Sequence, residues 1–180
     1  AGDVTPTDTA QAEARLSRGR ADLNAAEVNL AVSQATYNQV IGNVPTLLRP
    51  ADATETAEAW RVAIEHKHGP VCLVLTRQKL GFIDREKYAS AAGVAKGAYV
   101  LADATGGAPQ VVLMSSGSEV ALVLAAAEKL AAKGVRARVV SMPSHELFAH
   151  QEPAYRNEVL PRGVPRVAIE AAHPMSWYRW

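Results

Sequence analysis

Residues 110–142 read QVVLMSSGSEVALVLAAAEKLAAKGVRARVVSM, and this stretch decides the fold class. Residues 110–114 form an apolar, β-branched run that suits a strand. Residues 116–133 follow as an Ala-rich helix, with Ser116 and Glu119 spaced as a capping box and Gly134 placed to end it. Residues 136–142 form a second β-rich run closed by Pro143. Strand, helix and strand in this order build a parallel sheet with a right-handed crossover, so the expected fold class is α/β with βαβ units.

The same order occurs upstream. Residues 46–48 are a short apolar run ending at Arg49-Pro50, and 54–66 read as a helix with Thr54 as its cap and Ala57, Trp60 and Ile64 on one face. Residues 71–76 (Val-Cys-Leu-Val-Leu-Thr) are continuously apolar, the pattern of a strand buried on both faces. Between the two units, residues 88–107 are glycine-rich and read as a linker followed by a hairpin or loop, with Gly106-Gly107 the best boundary. Downstream, 155–160 read as a short helix and 166–170 as a last strand. Strands of this number make an incomplete open sheet, so uncovered apolar surface is expected at its edge.

The first 43 residues have another texture. They are rich in Ala, Gln, Asn, Arg and Glu, and their acids Asp3, Asp8, Glu13, Asp22 and Glu27 outnumber Arg15, Arg18 and Arg20. Thr5 as cap, Pro6 at the first helical position, and Gly42 with Pro45 beyond the end predict one helix over 6–41. Such a helix would run roughly 54 Å. Leu16, Leu23, Leu30 and Tyr37 repeat every seven residues, beside a row of Ala12, Gly19, Ala26, Ser33 and Val40. That is a coiled-coil seam with large and small rows, able to pair with a second copy or another chain; a solvent-exposed surface helix is the plainer alternative.

Composition narrows the function. The chain has 180 residues, 48% hydrophobic and 21% charged, with net charge +1. No charge excess points to nucleic acid or an anionic membrane. No 18-residue apolar run spans a bilayer, and the N-terminus lacks the pattern of a signal peptide. The single Cys72 excludes an internal disulfide framework, and its apolar setting predicts a buried, inert thiol. The first residue is Ala, which points to a processed chain or a fragment.

Six ordered blocks carry a family resemblance: Leu48-Arg49-Pro50-Ala51-Asp52-Ala53-Thr54-Glu55-Thr56; Val74-Leu75-Thr76-Arg77-Gln78; Lys96-Gly97-Ala98-Tyr99-Val100-Leu101; Ser116-Gly117-Ser118-Glu119-Val120; Arg136-Ala137-Arg138-Val139-Val140-Ser141-Met142-Pro143; and Tyr155-Arg156 through Arg166-Val167-Ala168-Ile169-Glu170-Ala171. Residues 44–180 resemble transketolase. The resemblance implies that 44–92 are the end of its pyrimidine-binding domain and 93–180 the first part of its C-terminal domain. Residues 3–42, with Thr7-Asp8-Thr9-Ala10-Gln11-Ala12-Glu13-Ala14-Arg15 and the heptad seam, resemble the coiled-coil helix of a TolC-type outer-membrane efflux protein. Together they imply a chimera, a misjoined frame, a fragment or an artificial fusion.

The transketolase resemblance implies two-carbon ketol transfer between sugar phosphates, with thiamine diphosphate and Mg²⁺ as cofactors of the intact enzyme, a step of the pentose phosphate pathway in the cytoplasm. In that family the metal-holding loop, the activating glutamate and the catalytic histidines precede the segment present here. The 180-residue chain is therefore expected to bind neither cofactor, to hold no catalytic or metal residue, and to be inactive alone. A complementing chain carrying the missing domains is a further, weaker option. If the N-terminal helix is the working part, self-association and an outer-membrane or periplasmic location follow instead.

One substrate residue carries over. Arg77, in Thr-Arg-Gln, matches the arginine that contacts the substrate's phosphate in the family. Its position just past the C-terminal end of a strand faces the crevice where α/β sheets bind ligands; the plainer alternative is an ion pair with Asp52. The Ser116-Gly117-Ser118 turn could hold an anion on its free amides, although a structural turn is the simpler reading. His66 and His68, and His145 with Glu146 and His150, have no metal-ligand spacing. His173 is assigned to packing by the resemblance, and Trp177 and Trp180 are expected to be exposed.

Overall fold

The computed structural model describes residues 6–42, 44–172 and 174–180. The Thr5 cap and His173 lie outside them. The chain divides into two compact units, Ala1–Val44 and Pro45–Trp180.

The first unit is one helix, α1 (Pro6–Ile41), of 36 residues. The start and stop signals placed it correctly: Gly42 has φ +95°, and its N–H donates to the Asn38 carbonyl at 2.9 Å. Most of its described side chains are exposed, with Leu16 at 56% and Val40 at 74%. No described helix is long and apolar enough to cross a membrane.

The second unit holds two sheets. β1 (Thr46–Leu48) and β2 (Val71–Leu73) pair in parallel around α2 (Ala53–Glu65). The other strands are β3 (Tyr99–Ala102), β4 (Val111–Ser115), β5 (Ala137–Ser141) and β6 (Arg166–Ala168), in the order β3-β5-β4-β6. Between β4 and β5 runs α3 (Val120–Ala131); α4 (His145–Ala149) and α5 (Pro153–Val159) precede β6. β4 pairs in parallel with both β5 and β6, as the βαβ reading requires. β3 is the departure. The segment read as linker and loop contains a short 3₁₀ helix, Ala91–Lys96, and a strand that joins β5 antiparallel. Its alternation shows in the burial, with Tyr99 and Leu101 inside and Val100 and Ala102 only half-buried.

Five local expectations are corrected. β2 ends at Leu73 and is not buried on both faces, because among the described residues its sheet has only the strands β1 and β2 and leaves it at an edge. Cys72 is exposed for the same reason. We expect its thiol to react fully with an aromatic disulfide under native conditions, and a thiol that titrates only in urea would contradict the placement. On α2 the inward face is Glu55, Ala59 and Val62, whereas Ala57, Trp60 and Ile64 point outward. The cap of α2 is Asp52, not Thr54: its side chain accepts the Glu55 N–H at 2.8 Å. Ser116 makes no capping bond, and the α-helix starts only at Val120, after a 3₁₀ turn at Gly117–Glu119.

Two apolar clusters hold this unit together. Leu48, Ala59, Val94, Leu101, Val120, Val123 and Val139 belong to the one shared by the two sheets. Phe148, Met142, Val112 and Val159 belong to the other, under α4 and α5. Trp177 is buried there and Trp180 packs against Phe148, so neither is the exposed residue the sequence suggested.

Candidate functional site

The C-terminal ends of β1, β4, β5 and β6 converge, and Arg49 ties them. Its N–H donates to the Pro143 carbonyl at 2.8 Å, and its carbonyl accepts the Gly117 N–H at 3.0 Å. Its guanidinium meets the Glu170 carboxylate at 2.9 Å, which also accepts the Ser116 hydroxyl at 2.6 Å. The Gly117 amide, offered by the sequence as an anion donor, is thus spent on Arg49, and the turn is structural. Two open depressions lie alongside, of about 160 Å³ and 190 Å³. The first is bounded by Arg49, Pro50, Gly117 and Ser118 together with Val74–Thr76. The second is bounded by Pro50, Asp52, Thr56, Thr76, Gln78 and Leu80, among others.

Arg77 stands between Thr76 and Gln78, in a bend that begins four residues past the end of β2, where the Gln78 N–H donates to the Thr76 hydroxyl at 3.1 Å. It is exposed and has no hydrogen bond or ion pair among the described residues. Its expected alternative partner is occupied elsewhere. Asp52 has a fully buried side chain that meets Arg85 at 3.0 Å and accepts the Ile83 N–H at 3.1 Å and the Thr54 hydroxyl at 2.9 Å. Burial alone would push its carboxyl up, but the bonds from Glu55, Ile83 and Thr54 and the Arg85 charge hold it below the usual carboxylate range.

Arg85 fastens the chain that follows Arg77. Besides Asp52 it donates to the Thr54 hydroxyl, the Ala89 carbonyl and the Tyr99 hydroxyl, at 3.0, 2.9 and 3.0 Å. Tyr99 in turn donates to the Glu55 carboxylate at 2.6 Å, on the oxygen that also accepts the Ser141 hydroxyl at 2.7 Å. The other Glu55 oxygen accepts the Ala51 N–H at 2.7 Å. Glu55 is fully buried, and desolvation pushes its carboxyl up despite these donors. The Tyr99 hydroxyl is pushed up as well, by burial and by its charged neighbour.

This network joins α2 to β3 and β5, and sequence reasoning missed it. The one legible hint was Asp52-x-x-Glu55, the spacing of a cap and its third helical residue; Arg85, Tyr99 and Ser141 are too distant in sequence to announce the contact. Among the described residues no group of three or more His, Cys, Asp and Glu could hold a metal ion. His66 and His68 only meet edge to face, at 6.2 Å. His145 accepts the Trp180 indole N–H at 2.6 Å, and burial holds its imidazole below the usual range.

Residues 97–180 match the family described as the transketolase-like TK C-terminal domain. The chain is 50% identical over 141 residues to the transketolase of Aquifex aeolicus, which covers 77% of this chain and 20% of the relative. It is 45% identical over 150 residues to transketolase 1 of Escherichia coli K12, covering 83% of this chain and 22% of the relative. That alignment is longer than the stretch from residue 44 to residue 180, so it reaches back into α1. Among solved structures, the transketolase of Leishmania mexicana superposes with a TM-score of 0.67 at 43% identity, over 73% of this chain and 19% of that one. The transketolase of Campylobacter jejuni superposes with a TM-score of 0.66 at 36% identity, over 74% and 20%. Homology to transketolases thus extends over about three quarters of the chain, which spans about a fifth of the length of the curated relatives it matches.

Proposed function

We propose that this chain supplies part of a transketolase, the end of the pyrimidine-binding domain (44–92) and the start of the C-terminal domain (93–180), and that Arg77 holds the phosphate of a sugar-phosphate substrate. The observation that carries the reading is the exposed Arg77 beyond a parallel strand, which has no partner among the described residues, while Asp52, the acid the sequence offered it, is paired with Arg85. A guanidinium with no carboxylate partner among the described residues offers its fork to a phosphate in two-point geometry. The open depressions that Thr76 helps to bound, one of them with Gln78, are proposed to take the sugar.

In the intact family thiamine diphosphate supplies the electron sink for two-carbon transfer, with Mg²⁺ on its diphosphate. The residues described here do not fit that pair, because no acidic or histidine cluster able to hold the metal is among them. The work proposed for this segment is to bind and orient the phosphate end of the substrate. The 180-residue polypeptide by itself is expected to show no ketol transfer between xylulose 5-phosphate and ribose 5-phosphate.

Titration of the chain with ribose 5-phosphate, followed by amide NMR, tests the reading. Shifts should centre on Thr76, Arg77 and Gln78 with a dissociation constant of millimolar order, and ribose should produce none. Arg77→Gln should abolish them without altering the rest of the spectrum. Equal shifts in the variant, or turnover by the isolated chain, would overturn the proposal.

A second reading rests on α1, whose Leu16, Val28, Val32 and Val40 are each more than half exposed on one 36-residue helix. Here the helix pairs with a second copy through its seam. Helical signal that rises with concentration would favour it, and a monomer indifferent to dilution would remove it.

A further inference from the structure

At the opposite end of the parallel strands of the larger sheet lies a groove of about 350 Å³, the size of the smaller pockets that hold whole ligands. Leu124, Ala127 and Ala131 of α3 line one side, and Ala102 of β3 and Ala137 of β5 line the other. The small side chains are what leave the space open: four of these five α3 and sheet positions stop at Cβ.

The charges at the rim are unequal in what they have left to give. Glu128 is engaged by Lys87 at 2.7 Å and by the Tyr88 hydroxyl at 3.2 Å. Asp103 is engaged at both oxygens by Arg138, at 2.8 and 2.9 Å. The carbonyls of Glu128, Leu130 and Ala131 at the end of α3 already accept the N–H groups of Ala132, Lys133, Gly134 and Val135. Arg136 is different. Its Nε donates to the Ala108 carbonyl at 2.9 Å, which fixes the plane of the guanidinium, and its two terminal nitrogens have no partner among the described residues. Every acid on the rim is matched by a cation, while one cation remains over.

We propose that this groove binds a small organic anion with an apolar ring, the ring between α3 and the sheet and the acidic group on Arg136. The apolar wall supplies area-dependent affinity that does not discriminate between ligands. The unspent guanidinium supplies the preference for an anion over its neutral analogue. This site is separate from Arg77, at the other end of the strands, and does not depend on the transketolase reading.

The test uses the full 180-residue chain with 2-naphthoate and its neutral near-isostere 2-naphthamide, again by amide NMR. Naphthoate should give saturable shifts confined to Ala102, Ala127, Ala131 and the 134–137 strand entry. Naphthamide should shift the same amides about three- to fivefold more weakly, the scale of one exposed charge contact. Arg136→Gln should bring the affinity for naphthoate down to that for naphthamide. Ala127→Phe, which fills the groove, should remove both. Absence of saturable shifts in the unaltered chain overturns the site, as do shifts centred on the exposed Trp60 and Phe82. Equal affinity for the two probes overturns the assignment of an anion, and it needs no variant to be read.

Discussion

Replacing Glu55 by Leu should lower stability by about 3 kcal/mol or more and the melting temperature by roughly 10 °C. Leucine accepts no hydrogen bond, so the Ala51 N–H and the Tyr99 and Ser141 hydroxyls would lose their acceptor. Each stranded buried donor costs about 1–3 kcal/mol. The Gln variant separates the charge from the bonds. Burial pushes the Glu55 carboxyl above the 4.5 of a free glutamate, more strongly than Tyr99, Ser141, Ala51 and Arg85 pull it down. The folded chain therefore keeps a proton that the unfolded chain releases. The corresponding stability is complete below pH 4.5 and declines as pH rises through the folded value. Asp52 has the opposite sign: its carboxyl sits below 3.8, so its contribution is present above that pH and is lost as pH falls through the folded value. In urea unfolding from pH 4 to pH 8, the stability of the unaltered chain relative to Glu55→Gln should decline as pH rises. Parallel pH curves for the two would show that Glu55 is ionised in the fold and that the assignment is wrong.

Gly97→Ala should cost about 3–4 kcal/mol, from left-handed backbone and overpacking together. Gly97 has φ +82°, and a Cβ there would stand 2.3 Å from the Phe148 nitrogen and 2.5 Å from the Ser144 carbonyl oxygen. Both are backbone atoms of α4 and its cap, and the Ser144 N–H already donates to the Gly97 carbonyl at 2.9 Å, so neither side can yield cheaply. Gly106→Ala is the control. Its φ is +78°, but nothing lies within 4 Å of an added Cβ, so only the backbone strain of about 1 kcal/mol applies. Thermal melts of the two variants should differ by several degrees. A similar loss in both would mean that α4 moves away without cost.

The contrast between these glycines bears on how much of the fold could be read in advance. Gly97 and Gly106 both lie in the glycine-rich stretch that reads as linker and loop, and both adopt positive φ. Only the three-dimensional approach of α4 makes one of them critical. Tyr99-Val100-Leu101-Ala102 alternates weakly, and its role as a strand depends on β5 lying alongside. The outward turn of Trp60 and Ile64 has the same origin. A helix with two apolar stripes and one buried carboxylate does not reveal which stripe faces the core, and here the stripe carrying Glu55 does. At the candidate site, a motif marks Arg77 in the sequence; that Asp52 is paired elsewhere was not legible, because Arg85 reaches it from 33 residues away.

What the chain determined locally is the order of its elements. The 6–41 helix, β1, the β4–α3–β5 unit and the stop at Gly134 follow from periodicity, punctuation and propensity, which act over a few residues. Only the tertiary structure decided which charged groups are spent and which remain free. Glu55, Asp52 and Glu128 are taken by partners distant in sequence, whereas Arg77 and the terminal nitrogens of Arg136 have no partner among the described residues. The reason is physical: a buried or crowded charge must find a counter-group in space, and the fold, not the local sequence, sets which groups come within 3 Å of one another.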